Sequence, residues 1–365
     1  MPDLRIVQLS GSSTGGISAH VRALAAQLAT DHRVILAGPQ EVIQDGPPPA
    51  GTSMHRYRVD IADRPQVGDA RSLAAIRTLA RGADVVHAHG LRAGALAALA
   101  LSTPALTRTA LVVTLHNAPV GGLGVQTMAG GLLRAIGARA DAVLGVSTDL
   151  VRWAEEHGAP LTERALIPAP PHTPGTALGP TARRALGLAP DHRIVLSVAR
   201  LAPQKGLGLL ADVAGLLADR VPQARWLVAG SGPLLDDLAD QILGENLPVL
   251  LLGRRKDVPD LLASADVLVS TSAWEGQPIG LQEGLAAGVP IVATDVGGTR
   301  EVTGRAARLV PYPDADAMTT QITQLLTDPE QADQLRTAAR QRAGELPSAA
   351  DALRQTLGIY ARVIA

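Results

Sequence analysis

One pattern occurs twice in this chain. Short, almost wholly apolar runs alternate with segments of helical periodicity, stop at a Pro- and Gly-rich stretch, and start again. In the first half, runs at 4–10, 32–37, 57–59, 84–87, 111–115 and 142–146 read as strands. Helices are predicted between them, over 18–29, 70–81, 93–101, 123–139 and 150–157. In the second half, strands are predicted at 193–198, 224–229, 248–252, 266–270, 290–293 and 308–310. Its helices are predicted over 208–220, 234–243, 258–263, 278–287, 315–326, 330–345 and 349–363. A strand that is apolar along its length needs cover on both faces, and alternating helices supply it when the strands are parallel. The fold class is therefore α/β, with two doubly wound domains. The boundaries are 1–168 for the first domain, 169–184 for a linker, and 185–348 for the second. A chain of 365 residues, 46% of them hydrophobic, is long enough for two cores.

Composition removes several function classes. A net charge of −1 gives no reason to expect a nucleic-acid partner. The absence of cysteine excludes disulfides and thiolate chemistry and fits a reducing compartment. The first five residues lack the charged-then-apolar layout of a signal peptide. The alanine-rich run at 93–101 stops before Pro104 and is too short to span a bilayer. The expectation is a soluble cytoplasmic protein, with peripheral membrane contact left open. The scarcity of aromatics (three Trp, three Tyr, no Phe) argues against strong interfacial anchoring. Only two of the 33 basic residues are lysine, Lys205 and Lys256, so a lysine runs against the chain's bias.

In doubly wound sheets, ligands lie beyond the C-terminal ends of the strands. The motifs fall there. Past the strand at 266–270 comes Ala273-Trp274-Glu275-Gly276-Gln277-Pro278-Ile279-Gly280-Leu281-Gln282-Glu283. Pro278 suits the first turn of a helix, which puts Glu275 in the loop and Glu283 inside the helix. Two carboxylates eight positions apart thus flank a helix N-terminus, whose free N–H groups and positive dipole end suit phosphate. Arg200 and Lys205 lie in the loop after the first strand of the second half, before a helix. An arginine fork and a lysine point charge there match a diphosphate. Lys256, in the polar turn 254–257, needs no function.

In the first half, the glycine-rich turn 11–16 follows a strand and opens a helix. Its spacing is not G-x-G-x-x-G, which disfavours a nicotinamide site and leaves a structural turn or close backbone approach to phosphate or sugar. His87 and His89 end one strand and His116 follows another. No carboxylate or third histidine sits at ligand spacing, so a metal pair is not expected. His87 reads as structural and His116 as a substrate contact. Ala229-Gly230-Ser231-Gly232-Pro233-Leu234 and Asp295-Val296-Gly297-Gly298-Thr299-Arg300-Glu301 are further glycine turns after strands. Trp274 either packs or lines the site.

Taken in order, these motifs resemble the retaining glycosyltransferases of family four (glycosyl transferases group 1), most closely over 197–301. The resemblance implies the GT-B fold, with two Rossmann-like domains facing across a cleft. It also implies a last helix, within 349–365, that returns to the first, acceptor-binding domain. It implies a nucleotide diphosphate sugar as donor, UDP favoured over GDP, and a sugar, lipid or small-molecule acceptor. No cofactor or metal is implied, because protein cations take the metal's place. Arg200 and Lys205 would hold the diphosphate and stabilise the leaving group, Glu275 would contact sugar hydroxyls, and Glu283 would bind the ribose. Gly16 would approach the diphosphate through its backbone. His116 would contact the donor sugar near the reacting centre. Gly276, Pro278 and Ile279 would complete the donor site. Gln277 and Gln282 depart from the family pattern and leave the donor sugar open. The rivals are a nucleotide-sugar epimerase or isomerase of the same fold, and a non-catalytic nucleotide-sugar-binding protein. The oligomeric state is not readable.

Overall fold

A computed structural model describes residues 3–12, 16–44, 51–62, 64–106, 108–119, 122–168 and 173–364. The chain divides into two compact units, Met1–Pro168 with Pro347–Ala365, and Ala169–Leu346. Each is built on one parallel sheet covered by helices, as the apolar strands require.

In the first unit the strands are β1 (Arg5–Ser10), β2 (Arg33–Gly38), β3 (Met54–Arg58), β4 (Val85–His89), β5 (Ala110–Leu115), β6 (Ala142–Gly145) and β7 (Thr162–Arg164). Their spatial order is β3-β2-β1-β4-β5-β6-β7, all parallel. Chain direction across the sheet reverses between β1 and β4. All six residues of β5, Ala-Leu-Val-Val-Thr-Leu, are buried, whereas edge strand β3 buries only Met54. The C-terminal helix Ala349–Ile364 belongs to this unit. Its Gln355 Nε2 donates to the Arg164 carbonyl (2.8 Å), and its Oε1 accepts from the Leu166 N–H (2.9 Å).

The second unit holds β8 (Arg193–Val198), β9 (Ala224–Ala229), β10 (Val249–Gly253), β11 (Val267–Ser270), β12 (Ile291–Thr294) and β13 (Arg308–Val310). The order is β10-β9-β8-β11-β12-β13, again parallel, and it reverses between β8 and β11. Alternation along each strand feeds two separate cores. Val195, Trp226, Val228, Val267, Val269 and Val292 face one, and Ile194, Leu196, Leu227, Leu268, Ile291 and Ala293 the other. Each such valine, leucine or isoleucine contributes about 1.5–3 kcal/mol on burial.

The stretch expected as linker is tied to this second unit from its seventh residue on. The Gly175 backbone lies against Pro259, the Thr176 N–H donates to Asp260 Oδ1 (2.8 Å), and the Leu178 N–H to Ser264 Oγ (2.7 Å). It also contains a short helix, Pro180–Ala185. Among the described residues, no helix is long and apolar enough to cross a membrane.

Candidate functional site

The β8/β11 reversal gathers three loops of the second unit. After β8, Arg200 is exposed, and among the described residues it has no ion pair or hydrogen bond. Pro203–Lys205 then forms one 3-10 turn, ended by Gly206 in the left-handed region (φ 58). A Cβ on Gly206 would stand 2.1 Å from the Thr271 carbonyl oxygen, so only glycine lets this turn lie on the loop after β11. The two loops are stitched together. The Ala273 N–H donates to the Gln204 carbonyl (2.9 Å), and Thr271 Oγ1 donates to the Lys205 carbonyl (2.9 Å).

That stitching delivers Lys205 to Glu275. Lys205 Nζ donates to Glu275 Oε1 at 2.6 Å, and Ser272 Oγ donates to the same oxygen at 2.6 Å. The two charged side chains are only 18% and 11% exposed. The loop after β12 closes the group from below. The Glu275 carbonyl accepts from the Gly298 N–H (2.8 Å), and a Cβ on Gly297 (φ 49) would come 2.0 Å from that carbonyl oxygen. The sequence places Lys205 and Glu275 seventy positions apart; the fold makes them an ion pair.

Pro278 is the N-cap, not the first helical residue, of helix Ile279–Ala287. Its carbonyl accepts from the Leu281 and Gln282 N–H groups (both 3.1 Å). The Ile279 and Gly280 amides, one and two residues into the helix, therefore have no intrahelical acceptor. Gly280 lies against the end of β8, where a Cβ would approach the Val198 oxygen at 3.1 Å. Gly276 and Pro278 are buried beside it. Glu283, the fifth residue of the helix, is half-buried and has no partner among the described residues. Burial raises its carboxyl pKa. A partly desolvated, unpaired carboxylate is an acceptor suited to hydroxyl groups.

Gly16 and His116 belong to the first unit. Gly16 opens the helix Gly16–Leu28, while residues 13–15 of the glycine turn lie outside the described residues. His116 follows β5 and is 7% exposed. His87 is structural: it bonds Tyr360 (2.8 Å) and Thr114 (2.7 Å) in the interior. Sequence spacing gave no sign of a third histidine here, yet His20, His87, His89 and His116 converge. Ring centroids are 4.3 Å apart for His87–His89, 5.4 Å for His89–His116 and 6.0 Å for His20–His116. They come from three places in the chain, the helix Gly16–Leu28, β4 and the loop after β5, which linear spacing cannot bring together. Burial, reinforced by the neighbouring imidazoles, lowers the pKa of His87 to about 3 and those of His89 and His116 well below the usual value. Burial pushes His20 down to about 4. Among the described residues no group of three or more side chains is arranged to hold a metal ion. Gln8, His89 and Tyr360 were missed as site neighbours. The available signal was a polar residue inside an otherwise apolar strand, as at Gln8, and the i, i+2 histidine pair on one strand face.

Residues 180–342 match the family of glycosyl transferases group 1, and residues 15–170 match the glycosyl transferase 4-like domain. The chain is 31% identical over 268 residues to the GDP-mannose-dependent alpha-(1-6)-phosphatidylinositol monomannoside mannosyltransferase of Mycolicibacterium smegmatis, covering 68% of this chain and 69% of that one. It is 32% identical over 132 residues to the UDP-Gal:alpha-D-GlcNAc-diphosphoundecaprenol alpha-1,3-galactosyltransferase of Escherichia coli, and that match spans 34% of each chain. In fold it is similar to the Anabaena protein Alr3699/HepE, crystallised with UDP-glucose, at a TM-score of 0.78 and 21% identity over 98% of this chain and 100% of that one. The chain belongs to the group 1 glycosyl transferases, and its fold is GT-B.

Proposed function

We propose that this protein transfers a hexose from a nucleotide diphosphate sugar to an acceptor, with retention of anomeric configuration and without a metal ion. The observation that carries this reading is the Lys205–Glu275 pair, in loops that also hold Arg200, without a partner among the described residues, and the Ile279 and Gly280 amides, without an intrahelical acceptor. Such cations and amides suit a diphosphate's charge, and in this reading Glu275 and Glu283 act as hydroxyl acceptors. In the step proposed, the bond between the sugar C1 and the diphosphate oxygen breaks. The acceptor oxygen bonds to C1 on the same face, and its proton passes to the departing phosphate oxygen. Arg200 and Lys205 stabilise the negative charge developing on that leaving group. His116 contacts the sugar, and Gly16 approaches the diphosphate through its backbone.

The donor nucleotide is the open term, since the two relatives are named for UDP-galactose and GDP-mannose. We favour UDP. Both are also named for lipid-linked acceptors. A lipid-linked acceptor suits this chain because the helix Leu123–Gly137 exposes Leu123, Val125 and Met128 in its first turns. Those exposed apolar side chains support work at the cytoplasmic surface of a membrane.

A thermal-shift panel of UDP, GDP and their sugars tests the reading, because a ligand of the folded state raises apparent stability. One nucleotide sugar should shift wild type and leave Lys205→Ala unmoved. Absence of any shift across the panel removes the donor assignment. NMR of that donor incubated without acceptor separates transfer from epimerisation, which alters the sugar by itself.

A further inference from the structure

A chain of hydrogen-bonded side chains runs through the buried face of the first sheet, and the placement of the Gln8 amide sets the donor at each link. Gln8 Oε1 can only accept, so its 2.8 Å contact with His89 is a bond donated by His89 Nε2–H. The other end of the amide, Nε2, donates to the Tyr360 hydroxyl at 2.7 Å. A neutral His89 carries one ring proton, and with that proton on Nε2 its Nδ1 is a lone pair. The 3.1 Å contact at Nδ1 is then a bond donated by His116 Nε2–H. Tyr360 passes its own proton to His87 Nδ1 (2.8 Å), and His87 Nε2–H donates to Thr114 Oγ1 (2.7 Å). With the amide placed this way, reversing the Tyr360–His87 link would leave the buried phenol proton without an acceptor, at a cost of about 1–3 kcal/mol.

All six groups are buried. Among the described residues, the titratable groups of the chain and the imidazole beside it are His87, His89, His116, Tyr360 and His20, and burial keeps the rings neutral. Every link therefore points the same way, from His116 through His89, Gln8, Tyr360 and His87 to Thr114. His116 Nδ1 makes no hydrogen bond to a described residue.

We propose that Gln8 and His89, with Tyr360 of the C-terminal helix behind them, are positioning residues that fix His116 as its Nε2–H tautomer, so that Nδ1 meets the donor sugar as an acceptor of a hydroxyl hydrogen bond. This rests on the reading of His116 as a sugar contact. Tyr360 is needed because its hydroxyl bonds the far end of the Gln8 amide and ties the amide's orientation to the sense of the Tyr360–His87 link. Without the phenol, the amide can turn and present its Nε2 to His89, and both links toward His116 then reverse.

Long-range 1H–15N spectra of the histidine-labelled full chain read ring protonation directly, with His116 assigned by comparison with His116→Ala. Wild type is expected to show a protonated Nε2 and a bare Nδ1 on His116 near neutral pH. Gln8→Leu is expected to turn this into a tautomer mixture, and Tyr360→Phe, which keeps the aromatic ring, to do so in part. Calorimetry then compares UDP-glucose with UDP, and GDP-mannose with GDP. The sugar-bearing ligand that wild type binds should weaken about 10-fold in Gln8→Leu, the scale of one hydrogen bond, and the bare diphosphate by less than about 2-fold. The proposal is overturned by an Nδ1-protonated His116 in wild type, or by Tyr360→Phe leaving both tautomer and sugar affinity unchanged. It is also overturned if bare diphosphate weakens as much as its sugar, which marks a merely structural role. Failure of the underlying reading looks different: His116→Ala then binds the sugar-bearing ligand as tightly as wild type, whatever the tautomer spectra show.

Discussion

Lys205 and Glu275 neutralise each other before any ligand arrives. On the proposed reading, a diphosphate therefore competes with Glu275 for Lys205. Removing the carboxylate's charge while keeping its shape separates the two roles. Glu275→Gln is expected to bind the bare nucleoside diphosphate as tightly as wild type or several-fold tighter. Sugar transfer by the same variant should fall about 100-fold or more, the scale for losing one preorganised charged contact. Calorimetry and a transfer assay on one preparation check both halves, and weaker diphosphate binding would show that the pair does not compete. Glu283 makes a second residue-scale case. Its folded pKa is raised by burial, so the stability it contributes is present below its unfolded pKa and is lost as pH rises through the folded value. At neutral pH it is a net cost to the ligand-free fold. Glu283→Gln should raise the melting temperature by about 1–3 °C while weakening nucleotide binding. A lower melting temperature would count against the burial argument. Both acids stood out in the sequence because of their place around a helix start. Their states, one paired and one bare, did not, because pairing depends on a loop seventy residues away.

At the element scale, the apolar runs were legible because strands covered on both faces carry no polar alternation to blur them. The exceptions are short or amphiphilic. β7 is the three residues Thr-Glu-Arg, whose side chains are only half-buried, and nothing in that triplet signals a strand. The helix Pro180–Ala185 buries none of its residues and hid in a Pro- and Gly-rich stretch. Glycines were legible as turns but not as the close contacts they serve. Gly206 combines a left-handed backbone with a 2.1 Å virtual contact to the Thr271 oxygen, and it directly follows Lys205. Gly206→Ala therefore has to part the loops after β8 and β11. The expected cost is about 2 kcal/mol or more, from the left-handed backbone and the displaced carbonyl. Urea denaturation should register that loss, and diphosphate affinity should fall with it because Lys205 moves. Unchanged affinity in a destabilised protein would mean that the turn does not place the lysine.

For the whole molecule, the four imidazoles with lowered pKa all lie in the first unit. A depressed folded pKa means that the unfolded chain binds protons the folded chain refuses. Stability is therefore lost as pH falls below the ordinary histidine value of 6.5, and the loss continues to about 4 for His20 and about 3 for His87. Between pH 7 and pH 5, each imidazole that stays neutral in the folded state removes about 2 kcal/mol. His87, His89 and His116 are each over nine-tenths buried. Together they can cancel a large part of the ~5–15 kcal/mol that ordinarily holds a domain folded. Acid should accordingly open the first unit while the second stays folded. Hydrogen exchange at pH 5 against pH 7, read by peptide, is expected to show faster exchange, after correction for intrinsic rates, in β1, β4, β5 and the C-terminal helix that carries Tyr360. The strands β8 to β12 should keep their protection. His87→Asn should lower the number of protons taken up on unfolding at pH 5 by about one, seen as a shallower slope of stability against pH. An unchanged slope, or loss of protection in the second unit first, would mean that the histidine cluster is not what makes the fold acid-sensitive.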